Sequence, residues 1–428
     1  MQRGDKLYNL YIQILKEELR PAMGCTEPIA LSLAGAKARQ VLSAVPDKIR
    51  MAVSGNIIKN VKSVVVPNTG GLHGMAAAVC AGIIAGDPDK WLEVISDIPH
   101  ERHGEIKEYL ETVDLEITPA KSCLVFDIDL KIWAGTDWVR LRIVNNHTNI
   151  VHIEKNGEVL LEHPVGRSSE DALTDKSCLN VEDIVAFADA LDVEDVRDTV
   201  GRQIEENMAI AREGLEHSWG ANIGSVILHH DGNSTAKRAC AYAAAGSDAR
   251  MSGCEKPVII VSGSGNQGIT ASVPVAVYAQ ELGASEEMTL KAVALSDLVT
   301  LHQKSGIGRL SAYCGAISAG CGAGAGIAYL RGGHLNAIAH TIVNAIAILS
   351  GTICDGAKPS CAAKIAEAVD AGILGYHMYL DGQQFYGGDG IVTKGVDNTV
   401  HNICQLAREG MRQTDETILE IMLQNGET

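Results

Sequence analysis

Apolar side chains in the first twenty residues recur at helical spacing: Leu7, Tyr8, Tyr11, Ile12, Ile14, Leu15 and Leu19. Charges run through the same segment, which therefore lacks the uncharged apolar stretch of a signal peptide, and a cytoplasmic chain is expected. Residues 51–53 and 61–66 read as short β-branched runs, and residues 67–71 as a turn feeding an Ala-rich helix from His73. From about 92 to 165 the texture changes to alternation of apolar and polar positions, as in CLVFDIDLKIWA and DWVRLRIVN. Turns fall at 135–137 and at Asn156 and Gly157, the latter pair a strong hairpin signal.

After a polar stretch at 166–176 the period returns to 3.6, with helices expected near 181–191, 193–216, 234–248, 268–282, 287–303, 310–330, 335–350, 362–374 and 398–423. The predicted fold class is α+β: a large helical body with buried small-residue helices and an inserted antiparallel β module near its N-terminal side. The expected division is 1–90, a helix and strand part of the body; 91–165, the β module; and 166–428, the helical domain. A Gly turn followed by a small-residue helix occurs at both 68–82 and 264–279, a weak internal echo. Residues 310–330 are uncharged and long enough to span a bilayer, but they are rich in Gly and Ala and read as a buried helix pair.

Composition narrows the function. Lys plus Arg number 36 and Asp plus Glu 53, a formal charge of −17 in 428 residues, so nucleic acid is excluded as a partner and a membrane surface is not expected. The 44 Gly and three Phe imply a core of aliphatic side chains and closely packed backbone. Eleven Cys, an odd number without the density of a small secreted scaffold, point to reduced thiols or metal ligands.

Three loops are polar beyond their surroundings. Residues 20–28 place Cys25 and Glu27 between Pro21 and Pro28, either as a capped turn in which Thr26 or Glu27 satisfies backbone donors or as a functional loop. Residues 263–270 are either a bare Gly-rich turn or an anion cradle at a helix N-terminus. The third is the set Cys314, Cys321, Cys354 and Cys361. On one helix Cys314 and Cys321 would lie about 10.5 Å apart along the axis at 1.5 Å per residue, too far to serve one cluster together. The loop between Cys354 and Cys361 contains a Gly and a Pro and can fold back, so that this pair can converge on metal; buried structural thiols are the alternative. Cys80, Cys123, Cys178, Cys240, Cys254 and Cys404 are read as structural.

RPAMGCTEPIALSLAGA, PNTGGLHGMAAA, SGSGNQGITASVPV, GRLSAYCGAISAGCGAGAGIAYL and GTICDGAKPSCAAKI together resemble the L-cysteine desulfidase family, whose C-terminal part is similar to the alpha subunit of iron–sulfur L-serine dehydratases. The resemblance implies a PLP-independent β-elimination at a [4Fe–4S] cluster held by three cysteines, yielding pyruvate, ammonia and sulfide. The dehydratase pattern falls on Cys314, Cys354 and Cys361, and the desulfidase pattern on Cys25, Cys314 and Cys354. The chain lacks the acidic stretch that follows the first of these cysteines in dehydratases. Candidates for the base are Lys304, His302 and Lys358, with His73 or a non-ligating Cys25 behind them. The substrate carboxylate or amino group is expected at Ser264, Asn266, Gln267 and Gly268, with Asn68 and Thr69 second. Competing readings are a deaminase of serine or another β-substituted amino acid, a PLP lyase, for which no strand and Lys context exists, and a metal-storing or redox-sensing protein. Buried small-residue helices leave room for a homodimer.

Overall fold

The computed structural model describes residues 1–122, 124–165, 173–308 and 311–424. Cys123, residues 166–172 of the polar stretch and the expected helix start at Leu310 lie outside them. The fold is α+β, and its apolar residues gather in two main cores.

One core packs helices on a sheet. Strands β2 (Lys48–Val53), β3 (Asp114–Pro119), β4 (Asp127–Ala134), β5 (Asp137–Val144), β6 (Ile150–Lys155) and β7 (Glu158–Glu162) lie in the order β3-β2-β4-β5-β6-β7. Alternation aims Ile128, Leu130 and Ile132 of β4 and Val139, Leu141 and Ile143 of β5 inward, where they meet α2 (Thr26–Leu42), itself packed on α4 (Gly74–Ala85). Asn156 and Gly157 both take positive φ, 52° and 92°, the backbone of a tight hairpin between β6 and β7. The sheet differs from the expected module in taking in β2, far upstream, which β3 joins in parallel. The run 61–66 is no strand: residues 55–61 form α3 (Gly55–Val61), and beyond it only Val65 bridges to His73. β-Branched residues there fill a buried turn, an outcome that composition cannot separate from pairing.

The other core joins α1 (Lys6–Glu18) to the chain from α6 (Val181–Ala190) onward: α7 (Arg202–Glu216), α8 (Ile223–Asp231), α9 (Thr235–Met251), β8 (Pro257–Ile260), α10 (Gly265–Leu282), α11 (Glu286–Ile307), α12 (Gly315–Leu330), α13 (Leu335–Leu349), α14 (Ser360–Leu380), α15 (Val396–Gln405) and α16 (Arg412–Gln424). The stretch expected as a buried pair is a single helix, α12, entered from an extended turn, and it lies among α10, α11, α13 and α14. Its glycines allow this: a Cβ on Gly320 would fall 2.3 Å from the Ala368 carbonyl oxygen of α14. The expected helices 193–216 and 398–423 are each interrupted, and α8 was not foreseen. No helix of the described residues is long and apolar enough to cross a membrane.

Pairing and ionic contacts link the cores. β1 (Arg20–Met23) pairs antiparallel with β8, Arg20 opposite Ile260 through Met23 opposite Pro257. Buried Lys59 of α3 forms an ion pair with Asp415 of α16, and Lys62 Nζ donates to the Met422 carbonyl at 2.8 Å.

Within the helical core, Gln203 Nε2 donates to Asp297 Oδ1 at 2.9 Å. Burial pushes the Asp297 carboxyl up to about 8, against the opposing hydrogen bond from Gln203. Asp297 Oδ2 and Gln203 Oε1 have no other partner among the described residues, and a proton on Asp297 would supply the donor that this amide oxygen lacks. The folded state thus retains a proton that the unfolded chain releases near pH 4, and stability is lost as pH rises from about 4 to about 8. Asp297→Asn keeps a donor without titrating. Its urea-unfolding free energy should stay flat from pH 5 to 8 while the wild type loses roughly one to a few kcal/mol; equal losses would contradict the protonated pair.

Candidate active site

Cysteines stand at the starts of three helices. Cys25 is the N-cap of α2, delivered there by β1; it is buried, with Sγ 3.8 Å from Met251 Sδ, and shares a small apolar cluster with Val64, Met251 and Ala357. Cys314 is the N-cap of α12. Cys354 lies diagonally across an antiparallel bridge at Tyr313 and Ile353, in which Cys314 N donates to the Thr352 carbonyl at 3.2 Å and Cys354 N to the Ala312 carbonyl at 2.6 Å. Cys361 occupies the first turn of α14, its Sγ donating to the Gly356 carbonyl at 3.5 Å. The four are electrostatic neighbours: Cys314 feels Cys354 and Cys361, and Cys361 also acts on Cys25.

Two effects oppose each other at these thiols. Helix N-termini favour thiolate, whereas burial pushes Cys25 and Cys314 up to about 12 and raises Cys361 as well. Burial prevails in the free chain, so metal binding would release protons. The loop between Cys354 and Cys361 is held by Asp355, whose carboxylate takes Lys358 Nζ at 2.5 Å and Lys364 Nζ at 2.6 Å. Burial works against that charge, yet the two lysines hold the carboxyl down at about 2. Gly356 has φ of 98°, and a Cβ there would lie 2.0 Å from the Lys59 carbonyl, so only glycine lets this loop rest on α3.

Cys321 lies further along the same helix, fully buried inside α12. Cys314, expected within that helix, sits just before it, because the bridge of Tyr313 to Ile353 extends the backbone there. Of the expected substrate residues, Ser264 is the N-cap of α10 and accepts from Gln267 N at 3.5 Å. Asn266 Oδ1 accepts from Arg250 Nη1 at 3.1 Å. Buried Gln267 packs its amide against Gly315, next to Cys314, and its Oε1 has no partner among the described residues. Gly268 meets the Ile259 carbonyl and serves packing. Asn68 donates to the Ile95 and Ser96 carbonyls and ties its turn to that segment, and Thr69 donates to the Val66 carbonyl within the turn.

Of the expected bases, His302 Nε2 pairs with Asp397 Oδ1 at 2.8 Å, and buried Lys304 acts electrostatically on Cys404. Lys358 alone lies in the cysteine loop. Sequence reasoning passed over Lys364 and Arg250. Both sit in helices whose patterns give no sign of a site; the mark of Arg250 is its place just before Met251 and the strand leading to the Gly loop.

Among the described residues no three Cys, His, Asp or Glu side chains close on one point as ligands of a single metal ion. A cubane asks something else, since its thiolates bind different irons. Four soft sulfur donors, three at helix starts and one in the loop before α14, with the unpartnered amide oxygen of Gln267 beside Gly315, fit such a cluster.

A profile described as the serine dehydratase alpha chain matches residues 89–420. The chain belongs to the serine dehydratase alpha chain family. That family match includes Cys314, Cys354 and Cys361 but not Cys25, which precedes it. Full-length relatives extend over both: a UPF0597 protein of Desulfitobacterium hafniense strain Y51 is 58% identical over 423 residues, covering 99% of this chain and 98% of its own. UPF0597 proteins of Lachnoclostridium phytofermentans and Treponema denticola are 48% and 46% identical, over 97% and 99% of this chain and all of theirs.

Within this family member the Gly356 contact is a direct lever on the site. Gly356→Ala should lower stability by about 1–3 kcal/mol through left-handed strain and the carbonyl clash, and should speed reaction of Cys354 and Cys361 with a thiol reagent in the metal-free chain. Unchanged labelling rates and unfolding midpoint would show that the loop does not depend on this approach.

Proposed function

We propose that the chain is an iron–sulfur-dependent, PLP-independent lyase that eliminates sulfide from L-cysteine, giving pyruvate and ammonia after hydrolysis of the released enamine. The observation that carries this reading is the grouping of Cys25, Cys314, Cys354 and Cys361 at the starts of α2, α12 and α14 and in the loop before α14. Three of them would hold a [4Fe–4S] cluster. Bound there, the cluster would supply a Lewis-acidic iron for the departing sulfur.

The chain's own residues supply the rest. The bridge at Tyr313 and Ile353 fixes Cys314 beside Cys354, and β1 pairing with β8 fixes Cys25 beside Met251. The Cα proton must pass to a base while the Cβ–S bond breaks; of the expected candidates Lys358 lies within the cysteine loop, and it would take that proton as the neutral amine, after giving up the proton it holds as the ammonium paired with Asp355. The apolar neighbours Val64, Met251 and Ala357 around Cys25 favour a thiol substituent, because a β-hydroxyl beside them would lose its hydrogen bonds to water without replacement. The family description supports serine as a second reading. The ratio of kcat/KM for L-cysteine over L-serine decides between them and should exceed about 10².

Cys354→Ser should abolish visible absorption, iron and sulfide release together, because a hydroxyl does not hold iron as a thiolate does. Cys321→Ala should keep all three. Iron and acid-labile sulfide per chain, measured side by side for Cys25→Ala and Cys361→Ala, identify the third ligand; the variant that keeps iron but loses rate carries the thiol working beside the cluster. Full iron and turnover in Cys354→Ser would end the assignment.

A further inference from the structure

Arg250, the penultimate residue of α9, is 4% exposed, and among the described residues it forms no ion pair. Its one hydrogen bond runs from Nη1 to the neutral amide oxygen of Asn266. Among the described residues Nε has no partner and the one hydrogen bond of the guanidinium is that of Nη1, so the edge of Nε and Nη2 meets no acceptor among them. Buried charges are almost always paired. In a chain with seventeen more acidic than basic groups, an unpaired buried cation is no accident of composition. Gly265 keeps the free edge clear, since a Cβ there would fall 2.3 Å from Nε.

Arg250 acts on the Cys25 thiol, and its neighbour Met251 touches Cys25. One residue beyond Asn266 lies Gln267, whose buried Oε1 is an acceptor without a donor and whose amide packs on Gly315 after Cys314. An unpaired planar cation and an unpaired carbonyl oxygen thus stand on adjacent segments beside the cysteines. They complement the two charged ends of an α-amino acid: the Nε and Nη2 edge matches a carboxylate in bidentate fashion, and the amide oxygen accepts from an ammonium.

We infer that Arg250 binds the substrate α-carboxylate, oriented by Asn266, while Gln267 Oε1 receives the α-ammonium. This rests on the amino-acid lyase reading, and it specifies that the site reads the zwitterion head and leaves the β-substituent to the apolar side at Cys25.

The test is calorimetric titration of the iron-loaded protein, under anaerobic conditions, with L-alanine, which carries the head group and no leaving group, and with ethylamine, which lacks the carboxylate. Wild type should bind L-alanine on the order of 100-fold more tightly than ethylamine, and Arg250→Gln should remove that advantage while iron per chain is unchanged. Asn266→Asp gives a readout that does not depend on the Arg250 variant folding. It places a carboxylate against Nη1, so it should raise the melting temperature and weaken L-alanine binding. A purely structural Arg250 would give the rise in melting temperature with unchanged L-alanine affinity, which would overturn the inference. So would retained L-alanine affinity in Arg250→Gln, absence of L-alanine binding to wild type, or a fall in melting temperature for Asn266→Asp. Sulfide release from L-cysteine by wild type is scored separately: its absence alongside Arg250-dependent L-alanine binding defeats the lyase reading and leaves this inference standing.

Discussion

The antiparallel bridge between Tyr313 and Ile353 is the contact on which the site depends. Its two backbone hydrogen bonds carry Cys314 and Cys354 as donors, so each cysteine's position follows from peptide geometry rather than from a flexible side chain. It also decides where α12 begins: because Cys314 is extended in the bridge, the helix starts at Gly315 and its first free N–H groups face the cysteine group. The loop to Cys361 then has only six intervening residues in which to return, and Asp355, clasped by Lys358 and Lys364, closes it.

A second pairing of the same kind, β1 with β8, performs the corresponding task across the two cores. Cys25 comes from the segment that opens the sheet-bearing core, yet it reaches the helical one because residues 20–23 lie along residues 257–260. The site is therefore assembled at a seam, with thiols from both cores and Arg250, Asn266 and Gln267 along one rim. Small residues let α12 and α14 pack closely within the helical core. Helices that touch through Gly320 and Gly372 leave little freedom for rotation of the N-termini that bear the cysteines.

Much of this was legible in the sequence, for reasons that can be named. Helical period and strand alternation located most elements, and Asn156 with Gly157 marked the hairpin. The four cysteines and the loop 263–270 stood out because polar or soft residues interrupt long apolar runs. What was hidden depended on contacts between distant segments. The parallel partner of β2 lies sixty residues downstream of it, and no local pattern announces it. Val61, Val64, Val65 and Val66 look like a strand, yet Val61 closes α3 and the other three line a largely buried turn. Helical period places Cys314 inside a helix, whereas its extended conformation comes from the pairing of residues 312–314 with residues 352–354. Arg250 is one basic residue near the end of an Ala-rich helix; only its burial without a carboxylate sets it apart.

The central claim is that these cysteines hold an iron–sulfur cluster that serves elimination. It is tested most directly by purifying the wild-type chain without oxygen and measuring iron, acid-labile sulfide and visible absorption on the same sample that is assayed for sulfide release from L-cysteine. The account predicts a brown protein with about four iron and four sulfide per chain, whose turnover falls in step with cluster loss on exposure to air. A colourless protein with fully reactive thiols that still releases sulfide, or a fully loaded one that releases none, would contradict it.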